Sequence, residues 1–182
     1  DPGSPTNTDG AGKCFQHQPS NVEDIRPRQM PVIRTILSIP VHDVTFAETL
    51  DWFEQAIASG ITHQACTVNP EFVMAAQTNS QFRRVLQTAD LCLPDGQGLL
   101  WAARLRGAPL RERVPGSTLL WSLSERAALK GWQLYFLGAS EGVAARAASI
   151  LQSHYPGLRV AGTYSGSPDQ DMAPSIIKRV RA

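Results

Sequence analysis

Leu91-Cys92-Leu93-Pro94-Asp95-Gly96-Gln97-Gly98 decides the fold. An apolar triplet too short for a helix runs into a Pro-Asp-Gly turn, and helical spacing resumes over residues 99–105. That is strand, tight turn, helix. The same unit recurs on both sides. Upstream, a strand over 63–68 leads through Asn69-Pro70 into a helical stretch over 70–88, which Asn79-Ser80 divides in two. Before it, Thr45 and Glu48 have capping-box spacing, Phe46, Leu50, Phe53 and Ile57 follow at helical intervals, and Gly60 stands where the helix would stop. Residues 33–39 read as one strand closed by Pro40. Downstream come a loop over 107–116, a helix over 117–129 ended by Gly131, and a strand over 132–137. A glycine-containing loop, Gly138 to Gly142, then opens a helix ending near His154, a strand covers 158–163, and Met172, Ile176, Ile177 and Val180 mark a last helix. Strands alternating with helices predict an α/β fold, a mostly parallel sheet with helices on both faces. Residues 1–31, rich in Pro, Gly, Ser, Asn and Asp, read as a flexible tail, and 32–182 as the core.

Composition narrows the function classes. The chain has 182 residues, with 17 Lys+Arg against 16 Asp+Glu and a net charge of +1. At 42% hydrophobic and 18% charged residues it has the material for a packed core. A near-neutral balance supplies no field that would gather nucleic acid. Cys14, Cys66 and Cys92 lack ligand spacing, and the last two lie in apolar strand-like stretches, where a thiol acts as a small hydrophobe. His17, His42, His63 and His154 are scattered, so no metal site is expected. No apolar run reaches the roughly 18–20 residues of a spanning helix. Trp52, Trp101, Trp121 and Trp132 are expected in the core rather than as a stacking platform. The chain starts at Asp1 and stops inside a helical pattern, so either end is expected to be trimmed.

In open α/β sheets, ligands bind beyond the carboxyl ends of the strands. Three such segments stand out. Thr67-Val68-Asn69-Pro70-Glu71 offers a hydroxyl and an amide before a helix N-terminus, although Asn69 serves equally well as that helix's cap. Asp95 sits at a strand tip beside Gly96 and Gly98, which would let a substrate approach the backbone; a carboxylate there is a candidate general base, or simply part of a turn. Gly138-Ala139-Ser140-Glu141-Gly142 fits a loop that cradles a diphosphate, or merely a tight strand-to-helix connection. Arg111 and Arg113 flank Glu112 in the loop before Pro115-Gly116, with solvated side chains as the plain reading.

Taken in order, Thr67-x-Asn69-x-Glu71, Ala89-Asp90-Leu91, Pro94-Asp95-Gly96-x-Gly98, Glu112-Arg113-Val114-x-Gly116, Tyr135-Phe136-Leu137-Gly138, Gly142-Val143-Ala144, Tyr155-Pro156-Gly157 and Gly162-Thr163 resemble the WecG/TagA/CpsF family, the family 26 glycosyltransferases of bacterial surface polymers. The resemblance runs from about Ile33 to the end of the chain. It implies a Rossmann-like core of the GT-E type. It also implies sugar transfer from a UDP-sugar to a polyprenyl-diphosphate-linked sugar, with inversion and no metal or other cofactor. On this resemblance Asp95 is the base, Thr67 and Asn69 line the donor pocket, Gly96 is at the substrate, Arg113 positions phosphate or departing UDP, and Gly138 lies near the nucleotide. It further implies a cytoplasmic enzyme, peripheral at the inner face of the bacterial membrane, and leaves donor sugar, acceptor and homo-oligomeric state open.

Members of that family continue into a strand ending in Pro-Lys-Gln-Glu and an arginine-rich appendage that completes the site and contacts the membrane. This chain stops before either, so it is expected to be truncated at its C-terminus and weak or inactive by itself. The rival reading is a catalytically silent nucleotide-sugar-binding or scaffolding module of a polysaccharide assembly complex, which has no use for Asp95. A dehydrogenase would need G-x-G-x-x-G after the first strand, and Ile39-Pro40-Val41-His42-Asp43 does not supply it.

Overall fold

Helix α1 (Phe46–Ala58) begins as its sequence predicts: the Thr45 hydroxyl accepts from the Glu48 amide, and the Glu48 carboxylate accepts from the Thr45 amide. The capping box thus satisfies two groups that a helix start otherwise leaves unpaired. The computed structural model describes residues 31–166 and 170–181. The expected tail, apart from Pro31, and Cys14 and His17 with it, lie outside the described residues.

Ahead of α1, residues 33–42 form a hairpin rather than one strand. Strands β1 (Ile33–Ile36) and β2 (Ile39–His42) pair antiparallel, with Ile36 opposite Ile39. Leu37 and Ser38 make the turn at φ of 46° and 69°. Both central residues at positive φ is the backbone that matches the twist of paired strands, although such turns usually carry Asn or Gly. Pro40 lies within β2 and does not end it.

The rest follows the alternation. β3 (Ala65–Val68) pairs in parallel with β4 (Leu91–Pro94), joined by α2 (Pro70–Thr78) and α3 (Ser80–Gln87). Asn79 caps the end of α2 and, through its side-chain oxygen, the start of α3. α4 (Gln97–Leu105) and α5 (Gly116–Lys130) come next, α5 closed by Gly131 at φ 73°, a left-handed position that suits glycine. β5 (Gln133–Leu137) and β6 (Arg159–Tyr164), linked by α6 (Val143–His154), form a second parallel pair. A 3-10 turn (Gln170–Met172) and α7 (Ala173–Arg181) end the described part.

β4 is buried along its whole length. Its side chains alternate: Cys92 packs with Ile39, Val41 and the α2–α4 residues Val73, Ala76, Leu86, Leu99 and Ala103. Leu91 and Leu93 pack on the other face with Val114, Leu119 and the α1 residues Phe46, Leu50 and Phe53. Helices therefore cover both faces of this strand, as an α/β layer requires. Around β5 and β6, a smaller cluster joins Ala127 of α5, Leu151 of α6 and Leu158.

β2 runs beside β4 without forming a ladder with it. Instead the buried His42 ring accepts the Cys92 amide on Nδ1 at 2.9 Å. Burial lowers the His42 pKa from its ordinary 6.5. An imidazolium could not accept there. The unfolded chain therefore binds the proton more readily. Stability from this site is present above pH 6.5 and is lost as the pH falls past that value and through the lower folded one. The denaturation midpoint is expected to fall between pH 7 and pH 5, and His42→Phe to reduce that pH slope relative to the parent. An unchanged slope would show that other groups carry it.

Cys92 is buried, and desolvation pushes its thiol up to about 12, while burial also raises Cys66, its in-register neighbour. Both stay protonated near neutrality and act as apolar fillers. The tryptophans divide otherwise than expected. Trp52 and Trp132 pack against core clusters, but Trp101 and Trp121 are exposed on α4 and α5. Among the described residues no helix is long and apolar enough to cross a membrane.

Candidate functional site at the carboxyl ends of β3 and β4

Parallel pairing in register (Thr67 with Leu93, Val68 with Pro94) brings the residues after both strands to one edge. The Asp95 amide donates to the Val68 carbonyl at 2.8 Å, extending that pairing by one residue, and the Val114 amide donates to the Pro94 carbonyl at 2.7 Å. Three helices start at this edge: α2 after Asn69, α4 after Gly96 and α5 after Pro115.

Glycines let these starts approach one another. Gly96 has φ 95°, and a Cβ on it would stand 3.0 Å from Pro70 Cδ. A Cβ on Gly116 would stand 3.1 Å from Thr67 Cγ2. Both distances are tighter than ordinary carbon contacts, so the close packing is tied to glycine at these positions. The Pro-Asp-Gly turn is therefore more than a chain reversal, because its glycine seats α4 against the first turn of α2.

Within this group, Thr67, Asn69 and Asp95 are each half-buried. Asn69 caps α2, its side-chain oxygen accepting from the Phe72 amide at 2.8 Å. Its Nδ2 donates to none of the described residues. The Asp95 Oδ2 accepts from the Gly116 amide at 3.2 Å, which places a carboxylate at the positive end of α5. The N-cap residues of α4 and α5 provide no side-chain capping bond. The edge thus combines the Asp95 carboxylate, the Thr67 hydroxyl, an amide donor without a described partner and helix N-termini, a mixture that can hold an anion and take up a proton.

The loop over 107–115 separates the two arginines that flank Glu112. Arg111 is structural: its amide and Nε donate to Asp43 Oδ1 at 2.9 and 3.3 Å, and its Nη2 donates to the Asp43 carbonyl. The same guanidinium grips both Glu48 oxygens at 3.0 and 2.6 Å, and this bond to Arg111 is the main cause lowering the Glu48 pKa. Glu112 accepts from the Phe46 amide at 2.9 Å, capping α1 from a distance in sequence. Arg113 is exposed and pairs with no described residue. Asp43 and Glu112, the residues that moor this loop, are missed by reading the sequence because their partners lie 68 and 66 positions away.

Gly138 stands apart. It has φ 107° at the end of β5, its amide bonds the Tyr164 carbonyl, and nothing lies within 4 Å of its Cβ position. No described contact brings it to Thr67, Asn69 or Asp95. Gly142 starts α6 at φ 79° without a side-chain cap. Among the described residues, no group of three or more His, Cys, Asp or Glu side chains converges as a metal would require.

An α/β core with a carboxylate and helix N-termini gathered at strand ends has the arrangement in which open α/β sheets bind their ligands. Residues 34–182 match the model of the glycosyl transferase WecG/TagA/CpsF family, and the chain belongs to that family. Several relatives are named N-acetylglucosaminyldiphosphoundecaprenol N-acetyl-beta-D-mannosaminyltransferase. The one from Bacillus spizizenii W23 is 36% identical over 100 residues, 55% of this chain and 39% of its own length. That of Bacillus subtilis 168 is 31% identical over 138 residues, 75% of this chain and 54% of its own. That of Staphylococcus aureus NCTC 8325 is 25% identical over 148 residues, 80% and 58% respectively. The chain thus spans about half the length of these curated relatives.

Proposed function

We propose that the protein carrying this chain transfers a sugar from a UDP-sugar to the sugar of a polyprenyl-diphosphate-linked acceptor, with inversion and with Asp95 as general base. The observation that carries the proposal is the family match over 34–182, with Asp95 beside Thr67 and Asn69 at one strand edge. An acceptor hydroxyl loses its proton as it attacks the anomeric carbon, and a carboxylate within hydrogen-bond reach takes it. The departing nucleotide diphosphate gains negative charge, which helix N-termini and the exposed Arg113 would stabilise without a metal. The relatives' names supply the first donor to try, a nucleotide-linked N-acetylmannosamine, and the acceptor class. A β product from an α-linked donor is inversion, which needs one base and no covalent intermediate.

A specific observation favours the silent-module reading as well: Asp95 already has a structural task, accepting the Gly116 amide. Calorimetric titration with UDP, with UMP and NAD as controls, is the direct test of the donor site. UDP is expected to bind in the micromolar range, more tightly than either control, and equally in EDTA. Equal affinity for NAD would overturn the UDP-sugar assignment.

A further inference from the structure

We propose that the outer face of α4, with the loop after it, docks on a lipid surface bearing anionic headgroups. Leu99 and Ala103 turn inward, each 1% exposed. Trp101 lies two residues from both, roughly opposite them around the helix, and is 63% exposed. Leu105, one turn further on, is 89% exposed. Water-facing positions of a surface helix normally carry polar side chains. Here two of the exposed positions, beside Gln97, Gly98 and Arg104, carry an indole and a leucine. Beside Trp101 runs a trough of about 410 Å³, lined by Gln97, Leu100, Trp101, Arg104, Pro109 and Leu110. It offers apolar walls next to a guanidinium.

Charge identifies the occupant. Residues 97–113 hold four arginines against one glutamate, in a chain whose whole excess is a single positive charge. Arg111 is occupied by Asp43 and Glu48. Arg104, Arg106 and Arg113 are exposed and pair with no described residue. An aromatic and an aliphatic side chain flanked by exposed cations is what an interfacial helix presents: the indole at headgroup depth, the leucine toward the acyl chains, and guanidinium groups on lipid phosphates. A second copy of the chain is a poorer fit, since a symmetric pairing would bring the same positive charges together. α4 starts two residues after Asp95, so docking would put the carboxylate near the surface where a lipid-linked acceptor resides; this consequence alone rests on the proposed function.

The test is co-sedimentation of this chain with vesicles of phosphatidylglycerol in phosphatidylcholine, against phosphatidylcholine alone. Binding is expected to the anionic vesicles only. Trp101→Ser combined with Leu105→Ser, and separately Arg104→Gln combined with Arg106→Gln, should each weaken it about tenfold or more, with the far-UV circular dichroism of the parent retained. Absence of any preference for anionic vesicles would overturn the inference, as would undiminished binding by the Ser pair. A concentration-dependent dimer abolished by Trp101→Ser would also overturn it, because a second copy would then cover the face. A chain that binds UDP but not vesicles loses this inference and keeps the proposed function, and the reverse result does the opposite.

Discussion

Asp95→Asn is expected to lower sugar transfer by roughly 100- to 10,000-fold, the range for removing a general base, while fold and UDP affinity stay as in the parent. Asparagine is the informative replacement. Its side-chain oxygen can still accept the Gly116 amide, now held at 3.2 Å by Asp95 Oδ2, so the start of α5 keeps its cap. What is lost is the capacity to take a proton. Asp95→Ala removes both functions, and the missing cap should cost about 1 kcal/mol in stability. The two variants therefore separate chemistry from structure. Turnover that collapses in both while only Ala lowers the denaturation midpoint supports the base. Turnover preserved in Asn assigns Asp95 to the capping task alone and leaves the site without a base at that strand end. The ratio to the parent is the quantity that matters, so the comparison holds at any absolute rate.

Local signals were legible where the interacting atoms are close in sequence. Thr45 and Glu48 are three residues apart, and their reciprocal bonds form as the spacing predicts. Asn79 interrupts the long helical stretch because its side chain caps α3 as its amide closes α2. The edge holding Thr67, Asn69 and Asp95 was legible too, because strand-to-helix connections fall at one end of a parallel pair. Other features gave no local sign. The turn at Leu37-Ser38 lacks the glycine or asparagine that marks such hairpins, so seven residues read as one strand. Trp101 looked like core because α4 carries apolar residues around its whole circumference, and only packing shows which arc is covered.

Asp43 shows where sequence reading stops. It is followed within five residues by a capping box, and nothing nearby marks it as the anchor of a loop 68 positions later. Yet it is 8% exposed and accepts both the amide and the Nε of Arg111. Arg34 approaches its other oxygen at only 3.9 Å, a weak supplement. Asp43→Ala should therefore destabilise the protein by about 2 kcal/mol, chiefly by leaving the Arg111 amide unsatisfied. For a unit of this size that lowers Tm by roughly 4–8 °C. The effect is not larger because Glu48 still grips the guanidinium, which is half exposed. The consequence reaches the candidate site through the chain: Arg111 precedes Glu112, which caps α1, and Val114, whose amide holds Pro94 beside Asp95. Trypsin reads that coupling directly. Cleavage after Arg106, Arg111 and Arg113 should accelerate in Asp43→Ala at temperatures far below its Tm, whereas Asp43→Asn, which keeps an oxygen for the Arg111 amide, should stay close to the parent. If all three proteins lose the loop at the same rate, the Glu112 and Val114 bonds suffice to hold it, and Asp43 contributes to stability without positioning the site.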